Sequence, residues 1–537
     1  MYGLLVTEGV VRELSDLLWE RVLARDPLTA LRCGRPPQSL PRGGPEAADR
    51  DAAFAAATLG RLAGIGGVDA AFLRDHLEQE VAEAQRFWYR FPVTPYSALT
   101  LSLYREEIFE AAELTTADDA DRYLNLLTDY TAMVEQIGDT MRAQRERGIR
   151  LPAWAVAEAF ATMRAHAEAC TGLLLTPDRC RRLAPGPAGQ VTGGATALVG
   201  GRLAEAFRRI LADLESDQRA GGDGVGIGQY PGGAECYAGL IGLHTGLDLS
   251  AEKVHATGLA ELERISDRIH GDLGITDEPA YRAELAADPA MYATSPADLE
   301  RIFQAHIDRV LPELPTYFSR LPAAPFGLRP LNAELSGMTY GYYDAPAGYY
   351  HYNASNLPDR PLLQAASVVY HEGLPGHHLQ MGLLAASTAL HPIRREQSEL
   401  RTFALTGYLE GWAEYAAGLC DEIGMYADPR DRYGRLTSER FFAARLVTDT
   451  GLAVLGWSLD RAAACLRENG LMSEPEIASE LLRYAVDDPG QALGYHLGHW
   501  YLRELRGSRD IREFHDAVLG SGPLPLRVLG ESLPEPR

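Results

Sequence analysis

The segment from His371 to Gln380 constrains the fold of this 537-residue chain more than any other. It reads HEGLPGHHLQ, so Pro375 occupies position i+4 from His371, where a residue of a regular helix would share its face. Proline lacks an amide donor and clashes with the carbonyl group four residues earlier, whereas Gly376 tolerates unusual dihedral angles. The segment therefore predicts a helix that is distorted near Pro375.

The form of the distortion decides which imidazoles come together. In an ideal helix His377 points away from His371, and His378 lies roughly 10 Å further along the axis. A two-residue bulge would bring His377 into the i+4 position. We favour His377 as the partner of His371 because a Gly-His pair closes the related HExxH motif in many zinc-peptidase helices, and His378 stays open as the alternative.

These residue types suit metal-assisted hydrolysis. Imidazole is a preferred zinc ligand, and a carboxylate beside the first ligand can deprotonate a water molecule whose pKa the metal has lowered to about 7. We predict one Zn²⁺ per chain, bound by His371 and His377, with Glu372 as general base. The third ligand is expected in LEGWAEY, where Glu410 and Glu414 lie one helical turn apart. We assign Glu410 to the metal and Glu414 to a hydrogen bond with a ligand imidazole.

Hydrolysis through a tetrahedral intermediate also needs a hydrogen-bond donor besides the metal. Tyr495 in the segment YHLG is our candidate, because a phenol donates without adding charge. Packing of Tyr495 in the core is an equal alternative, and His496 or His499 could serve instead.

Two aromatic runs, MTYGYY and YYHYN, predict a short β-hairpin between about residues 337 and 356, with Pro346 in the turn. We predict that Tyr350, Tyr352 and Asn353 of the second run bind the substrate and that this strand pairs with an extended substrate. Ordinary sheet packing is the alternative.

Helical periodicity dominates elsewhere: apolar residues recur at three- and four-residue spacing from Val11 to Val22 and from Tyr123 to Met141. Ser295 and Pro296 have the chemistry of a helix start, with serine as the cap. The sequence predicts a mainly α fold, a large helical metallopeptidase-like fold with a small β-hairpin or sheet next to the zinc-binding helix.

Glycine- and proline-rich stretches indicate the organisation of the chain. We predict an N-terminal helix at 1–33, a linker at 34–48, a helical region at 49–330 that forms one wall of the cleft, and a catalytic region at 331–537. Together they are expected to form one continuous globular unit. The stretch 184–201 is expected to be a loop.

Charge and cysteine content restrict partners and location. The net charge of −23 provides no basic face for phosphate backbones or anionic lipid, so we expect a peptide or small-molecule substrate rather than nucleic acid or a membrane. The six cysteines form no CxxC pair, which suits a reducing compartment, and the N-terminus lacks signal-peptide character. We predict a cytoplasmic protein and leave its oligomeric state open.

At these residues the chain resembles the bacterial family called "domain of unknown function 885", whose members share an HExxPGHHLQ core. The resemblance runs over nearly the whole chain and includes GQYPGG, HTGL, EGWAEY, RLVTDTGL, YHLG and REFHD. It implies a zinc peptidase related to the gluzincins, with His371, His377 and Glu410 as metal ligands and Glu372 as base. Ala453 stands where the family more often has histidine, and this departure leaves the zinc core intact.

Two other functions stay open. One is a metal-dependent tailoring enzyme that cleaves or rearranges an amide, ester or C–N bond in a specialised metabolite. The other is a non-catalytic binding protein on the same scaffold. The presence of Glu372 beside a complete set of candidate ligands disfavours the binding protein, because a site without catalytic activity would not need a general base.

Overall fold

A computed structural model of the chain describes residues 2–220, 224–331, 341–345, 347–396 and 405–533. The mainly α fold that the sequence predicts is confirmed. The helices are α1 (Tyr2–Arg25), α2 (Pro27–Arg32), α3 (Pro45–Leu59), α4 (Val68–Arg86), α5 (Pro95–Leu103), α6 (Ala117–Glu146), α7 (Val156–Ala169), α8 (Pro177–Cys180), α9 (Pro185–Ala197), α10 (Ala204–Ala220), α11 (Gly233–Thr245), α12 (Ala251–Leu273), α13 (Glu278–Ala287), α14 (Pro296–Val310), α15 (Leu314–Tyr317), α16 (Ala365–Glu372), α17 (His377–Ala385), α18 (Pro392–Arg395), α19 (Thr406–Glu422), α20 (Pro429–Ala453), α21 (Leu459–Asn469), α22 (Glu474–Leu482), α23 (Leu493–Arg506), α24 (Ile511–Ser521) and α25 (Leu526–Ser532).

The apolar stripes mark the buried helix faces, as the periodicity predicts. On α1 and α6 the buried members of the stripes are Leu14, Leu18, Val22, Tyr123, Leu127, Tyr130, Val134 and Met141. The Ser295 side chain accepts a hydrogen bond from the amide of Asp298 and so caps α14. Local chemistry therefore predicts both the helix and its first residue here.

The chain divides into two compact units. Unit 1 comprises Met1–Gly239, Glu396–Ala404 and Leu482–Pro489, and unit 2 comprises Leu240–Arg395, Leu405–Leu481 and Gly490–Arg537. The division does not coincide with the predicted boundary at 330/331, because residues 240–330 belong to the unit that holds the motif segment. The segment 1–33, expected to be one helix, contains α1 and α2, since the Asp26 carboxylate accepts hydrogen bonds from two amides of the first turn of α2 and caps it.

In unit 1, α6 packs against α9 and α10, and α7 packs against α10. The prediction of a loop at 184–201 is wrong, because α9 starts at Pro185, where proline's missing amide is no loss in the first helical turn. Gly194 of α9 lies so close to α6 that an added Cβ would be 2.8 Å from the Cδ2 atom of Leu124. The glycine here permits close helix packing instead of ending the helix.

In unit 2, α12 packs along α20, α19 packs along α23, and α16 contacts α14, α19 and α20. The contact between α19 and α23 is close because glycines meet there. A Cβ on Gly498 would lie 2.1 Å from the carbonyl oxygen of Gly407 and 2.6 Å from the Cα of Gly411. These two helices carry Glu410, Glu414 and Tyr495, so the glycine contact sets the position of the predicted site.

A small sheet in unit 2 has the strand order β1-β3-β2, with β1 at Gly327–Pro330, β2 at Gly341–Asp344 and β3 at Tyr349–Tyr352. Strand β3 is parallel to β1 and antiparallel to β2. The predicted hairpin is thus β2 and β3, while Met338–Tyr340 and Pro346 of the prediction lie outside the described residues. The sequence does not predict β1, because its residues GLRP include a glycine and a proline, which are depleted in strands, and lack the aromatic residues of β2 and β3.

The sheet lies next to the motif helix, as predicted. Tyr350 and Tyr352 of β3 belong to one core cluster with Phe303 of α14 and Val369 of α16. Within the described residues, no helix combines the length and the apolar character needed to cross a membrane.

Replacing Gly498 by alanine tests the helix contact. The added Cβ would collide with backbone of α19, so we expect the free energy of unfolding to fall by about 1–3 kcal/mol. The matched control is Gly271→Ala in α12, where a Cβ meets nothing within 4 Å and where alanine should stabilise by roughly 0.5–1 kcal/mol. Urea unfolding monitored by circular dichroism measures both, and equal stability of Gly498→Ala and the wild type would contradict the packing argument.

Candidate metal centre

The motif segment forms two helices separated by a break. Helix α16 ends at Glu372 and α17 begins at His377, so the distortion predicted near Pro375 is confirmed but takes the form of a break at residues 373–376 and not of a two-residue bulge. Gly376 makes the break possible, because a Cβ there would lie 1.8 Å from the carbonyl oxygen of His371. The indole Nε1 of the fully buried Trp412 donates a hydrogen bond of 3.2 Å to the carbonyl of Pro375 and holds the break in place.

The break brings together the three residues predicted as metal ligands. The ring centroids of His371 and His377 are 4.9 Å apart. The Nε2 atom of each imidazole lies 3.3 Å from Oε2 of Glu410, and one ligand atom from each residue lies within 4.8 Å of the others. Both histidines are buried, and the Glu410 side chain is 23% exposed.

This arrangement fits a zinc ion. Bonds of about 2.0–2.1 Å at a tetrahedral angle separate neighbouring ligand atoms by roughly 3.3 Å, which is the distance from Glu410 to each imidazole. Two imidazoles and one carboxylate also form the ligand set of many catalytic zinc sites, which leave a fourth position for water or substrate. The donors and their spacing therefore suit the ion that the motif predicts.

Glu414 lies on the outer side of His371. Its Oε1 is 2.8 Å from Nδ1 of His371, and its Oε2 is 2.8 Å from Nη1 of Arg435. Because a carboxylate can only accept, Nδ1 of His371 carries the proton and Nε2 is the nitrogen turned to the ligand position. The structure thus places Glu410 at the cluster and Glu414 behind it, in the arrangement that the sequence suggests.

His378, the alternative ligand, does not join the cluster. Its Nε2 lies 3.0 Å from the carbonyl oxygen of Ala324 and must donate to it, so its Nδ1 accepts the hydrogen bond from the Tyr343 hydroxyl at 2.8 Å. Both nitrogens of His378 are therefore occupied by hydrogen bonds, so the alternative prediction that His378 is a metal ligand is wrong. Tyr343 of β2, which sequence reasoning missed, fixes this histidine and stacks at 6.5 Å on His377.

Burial and ion pairs set the protonation of the cluster. Burial is the largest influence on each group and disfavours its charged form. Against burial, hydrogen bonds to Glu410 and Glu414 raise the pKa of His371 to about 10. The two histidines hold the pKa of Glu410 well below its usual range, and Arg435 with His371 lowers the pKa of Glu414 to about 2. Both carboxylates are therefore anionic at neutral pH, as metal coordination requires, whereas His371 carries a proton on each nitrogen and would have to release the one on Nε2 to bind a metal ion.

Glu372 differs from the other two glutamates. Burial, aided by repulsion from Glu410 and Glu414, raises its pKa, although the nearby histidines act in the opposite direction. A carboxylate with a raised pKa is closer to the neutral pH at which a general base accepts and returns protons. Glu372 is the last residue of α16 and directly follows His371 of the cluster.

Aromatic rings form one side of the cluster. Tyr495 is stacked on Phe442 with centroids 5.1 Å apart, and both rings lie parallel to His371 at 6.3 and 6.2 Å. The guanidinium of Arg445 lies 4.6 Å from the Tyr495 ring on α23. The structure thus places the half-buried Tyr495 beside His371, and Phe442 is a neighbour that sequence reasoning did not identify.

The two other candidate donors lie elsewhere. The Nε2 of His496 is 3.1 Å from Oε2 of Glu261, and the ring is buried. His499 is also buried, and its Nε2 lies near Gly418 and Arg435, on the outer side of Glu414. Both histidines therefore belong to the buried surroundings of the cluster.

The predicted substrate-binding residues of β3 have structural roles. Tyr350 and Tyr352 are each 1% exposed and pack with Phe303, and Tyr352 donates a hydrogen bond to Glu300. Asn353 is buried, and its Oδ1 accepts hydrogen bonds from the amide and hydroxyl of Ser355. Since β3 is bonded to strands on both sides, the expectation that it pairs with substrate is wrong.

Two solved structures share the fold. One comes from Colwellia psychrerythraea, is 23% identical with a TM-score of 0.75, and the match covers 91% of this chain and 90% of that one. The other comes from Shewanella oneidensis, is 16% identical with a TM-score of 0.69, and the match covers 98% and 99%. Each is described as a "putative lipoprotein", the second "of unknown function". No curated protein sequence matches this chain.

The resemblance found in the sequence motifs is confirmed at the level of the family. Residues 27–533 match the family described as "Bacterial protein of unknown function (DUF885)", and the chain therefore belongs to that family.

Proposed function

We propose that this protein is a zinc-dependent hydrolase, related to the gluzincins, that cleaves an amide bond of a peptide or a small peptide-like substrate. The observation that carries the proposal is the meeting of His371, His377 and Glu410 within 4.8 Å. Glu372 directly follows the first of them in the sequence and interacts electrostatically with both histidines. A structural metal site has no need of such a carboxylate, whereas hydrolysis does.

Each side chain then has a distinct task. Zinc held by the three ligands would lower the pKa of a water molecule and polarise a substrate carbonyl. Glu372 takes the proton from the attacking water and delivers it to the leaving amine. Glu414 keeps His371 in the tautomer that offers Nε2. Tyr495, stacked along His371, is our candidate for the donor that stabilises the oxyanion.

The substrate is proposed to lie along β2. Within the described residues β2 is an edge strand of the order β1-β3-β2, and an edge strand is where an extended chain can add to a sheet. Tyr343 of this strand lies next to His377 and His378, which brings that edge near the cluster. This assignment replaces the role expected for β3.

We also propose that the protein acts in the cytoplasm, on the basis of its scattered cysteines. The two solved relatives are described as lipoproteins, so the proposal needs a direct test. Fractionation of the producing cells with an antibody against the chain provides it, and recovery in the membrane fraction would overturn the assignment.

Elemental analysis of purified protein after dialysis tests the metal centre. We expect about one equivalent of zinc in the wild type and in His378→Gln, but less than roughly a tenth of an equivalent in Glu410→Ala, because Glu410 offers a ligand atom to the cluster and His378 does not. Far-UV circular dichroism checks that all three proteins are folded. A folded Glu410→Ala protein that keeps its zinc would contradict the ligand assignment.

Replacing Glu372 by glutamine tests the general base. The variant keeps the shape of the side chain but cannot accept a proton, so we expect zinc binding to persist while turnover falls by about 10²- to 10⁴-fold. The matched control is Glu422→Gln on α19, which is exposed and pairs with Arg506.

The assay for this comparison is a mixed peptide library analysed by mass spectrometry. Cleavage that disappears in Glu372→Gln supports the proposed function. A zinc-loaded wild type that leaves every peptide intact but converts ester or amide metabolites would favour the tailoring enzyme, and no turnover of either class would favour a binding protein.

A further inference from the structure

A chain of buried charged groups lies behind the metal cluster, and the proposed mechanism does not use most of it. It begins at Glu414, which contacts His371 through one oxygen and Arg435 through the other, both at 2.8 Å. Arg435 is 0% exposed, and its Nη2 lies 3.8 Å from Oε2 of Glu439. Positive and negative groups thus alternate, starting from a metal ligand.

The row of charged groups continues from α20 to α12 and α23. Glu439 pairs with Arg264 of α12, and Arg264 lies 2.8 Å from Glu261, which in turn contacts His496 of α23 at 3.1 Å. Four helices, α19, α20, α12 and α23, each contribute at least one member. Arg435 therefore lies between two buried carboxylates, Glu414 and Glu439, and Glu439 is in turn paired with Arg264.

We propose that Arg435 is a positioning residue of the metal centre, which acts by holding the Glu414 carboxylate so that it directs Nε2 of His371 to the metal. The inference rests on the metal site of the proposed function and adds a residue to it. A buried carboxylate with only an imidazole as partner would be free to rotate or to turn towards the metal itself. The ion pair with Arg435 opposes both movements.

Geometry favours arginine for this task. Nη1 of Arg435 binds the Glu414 side chain, and Nη2 lies 3.4 Å from the Glu414 main-chain carbonyl, so one planar group contacts the residue at two points. A lysine ammonium is a point charge without a fixed fork and could not reproduce both contacts. Substitution by lysine should therefore restore the charge but only part of the orientation.

The same helix offers a matched control. Arg440 lies five residues after Arg435 on α20 and is 3% exposed, and it also makes buried ion pairs, here with Glu278 of α13. No contact of Arg440 reaches His371, Glu414 or Glu410. Loss of either arginine leaves a carboxylate without its charge partner, but only loss of Arg435 should weaken zinc binding.

The test compares the zinc affinity of folded Arg435→Met and Arg440→Met, measured by competition with a chromophoric chelator. We expect Arg435→Met to bind zinc about 10- to 100-fold more weakly than the wild type, and Arg440→Met to bind within about twofold of it. The visible absorption of the Co²⁺-substituted proteins should change in Arg435→Met alone, because that spectrum reports the ligand geometry and not the overall stability. Wild-type affinity and spectrum in a folded Arg435→Met would overturn the proposal.

The lysine variants decide the question if Arg435→Met does not fold. Arg435→Lys should lose about three- to tenfold in zinc affinity, between the wild type and the loss expected without the charge. Arg440→Lys should lose none, and equal affinities of the two variants would overturn the proposal. A wild type that binds no zinc would refute the proposed function itself, so the two failures can be told apart.

Discussion

The centre of this molecule depends on the interruption of one helix. Between Glu372 and His377 the chain leaves the helical path and resumes it, and this is what turns two histidines six residues apart into neighbours. Only glycine fits at position 376, because any side chain would overlap the His371 carbonyl. A residue distant in the sequence also holds the break. The indole of Trp412, on the helix that supplies Glu410, donates a hydrogen bond to the Pro375 carbonyl. One hydrogen bond thus couples the two sequence segments that form the site.

The surroundings of the site combine close packing with buried charge. Glycines at 411 and 498 let α19 and α23 approach until their backbones nearly touch, and α19 carries the buried Glu414 and the partly exposed Glu410. Charges taken out of water are tolerated only when they are paired. Glu414, Arg435 and Glu439 satisfy this requirement because each is paired with the next, and the pair that buries Glu414 also holds it against the His371 imidazole. The same ion pairs therefore make the burial of Glu414 possible and orient the His371 imidazole.

Much of this could be predicted from local chemistry. Helical stripes, the Ser295 cap and the distortion at Pro375 depend on near neighbours in the sequence, and the two glutamates one turn apart in EGWAEY indicated where the third candidate ligand lies, in agreement with the family resemblance. Other features depend on distant partners. Whether His378 binds a metal depends on Ala324 and Tyr343, and whether the aromatic strand is free depends on β1, which has no recognisable pattern of its own. Arg435 is one of several buried arginines on α20, and nothing in the sequence distinguishes it until Glu414 is placed opposite.

Anomalous diffraction from crystals grown with zinc, recorded on both sides of the zinc absorption edge, tests the central claim most directly. The account predicts one strong difference peak within bonding distance, about 2.0–2.2 Å, of Nε2 of His371, Nε2 of His377 and a carboxylate oxygen of Glu410. A fully occupied peak coordinated by other residues, or none at this cluster in zinc-saturated crystals, would contradict it.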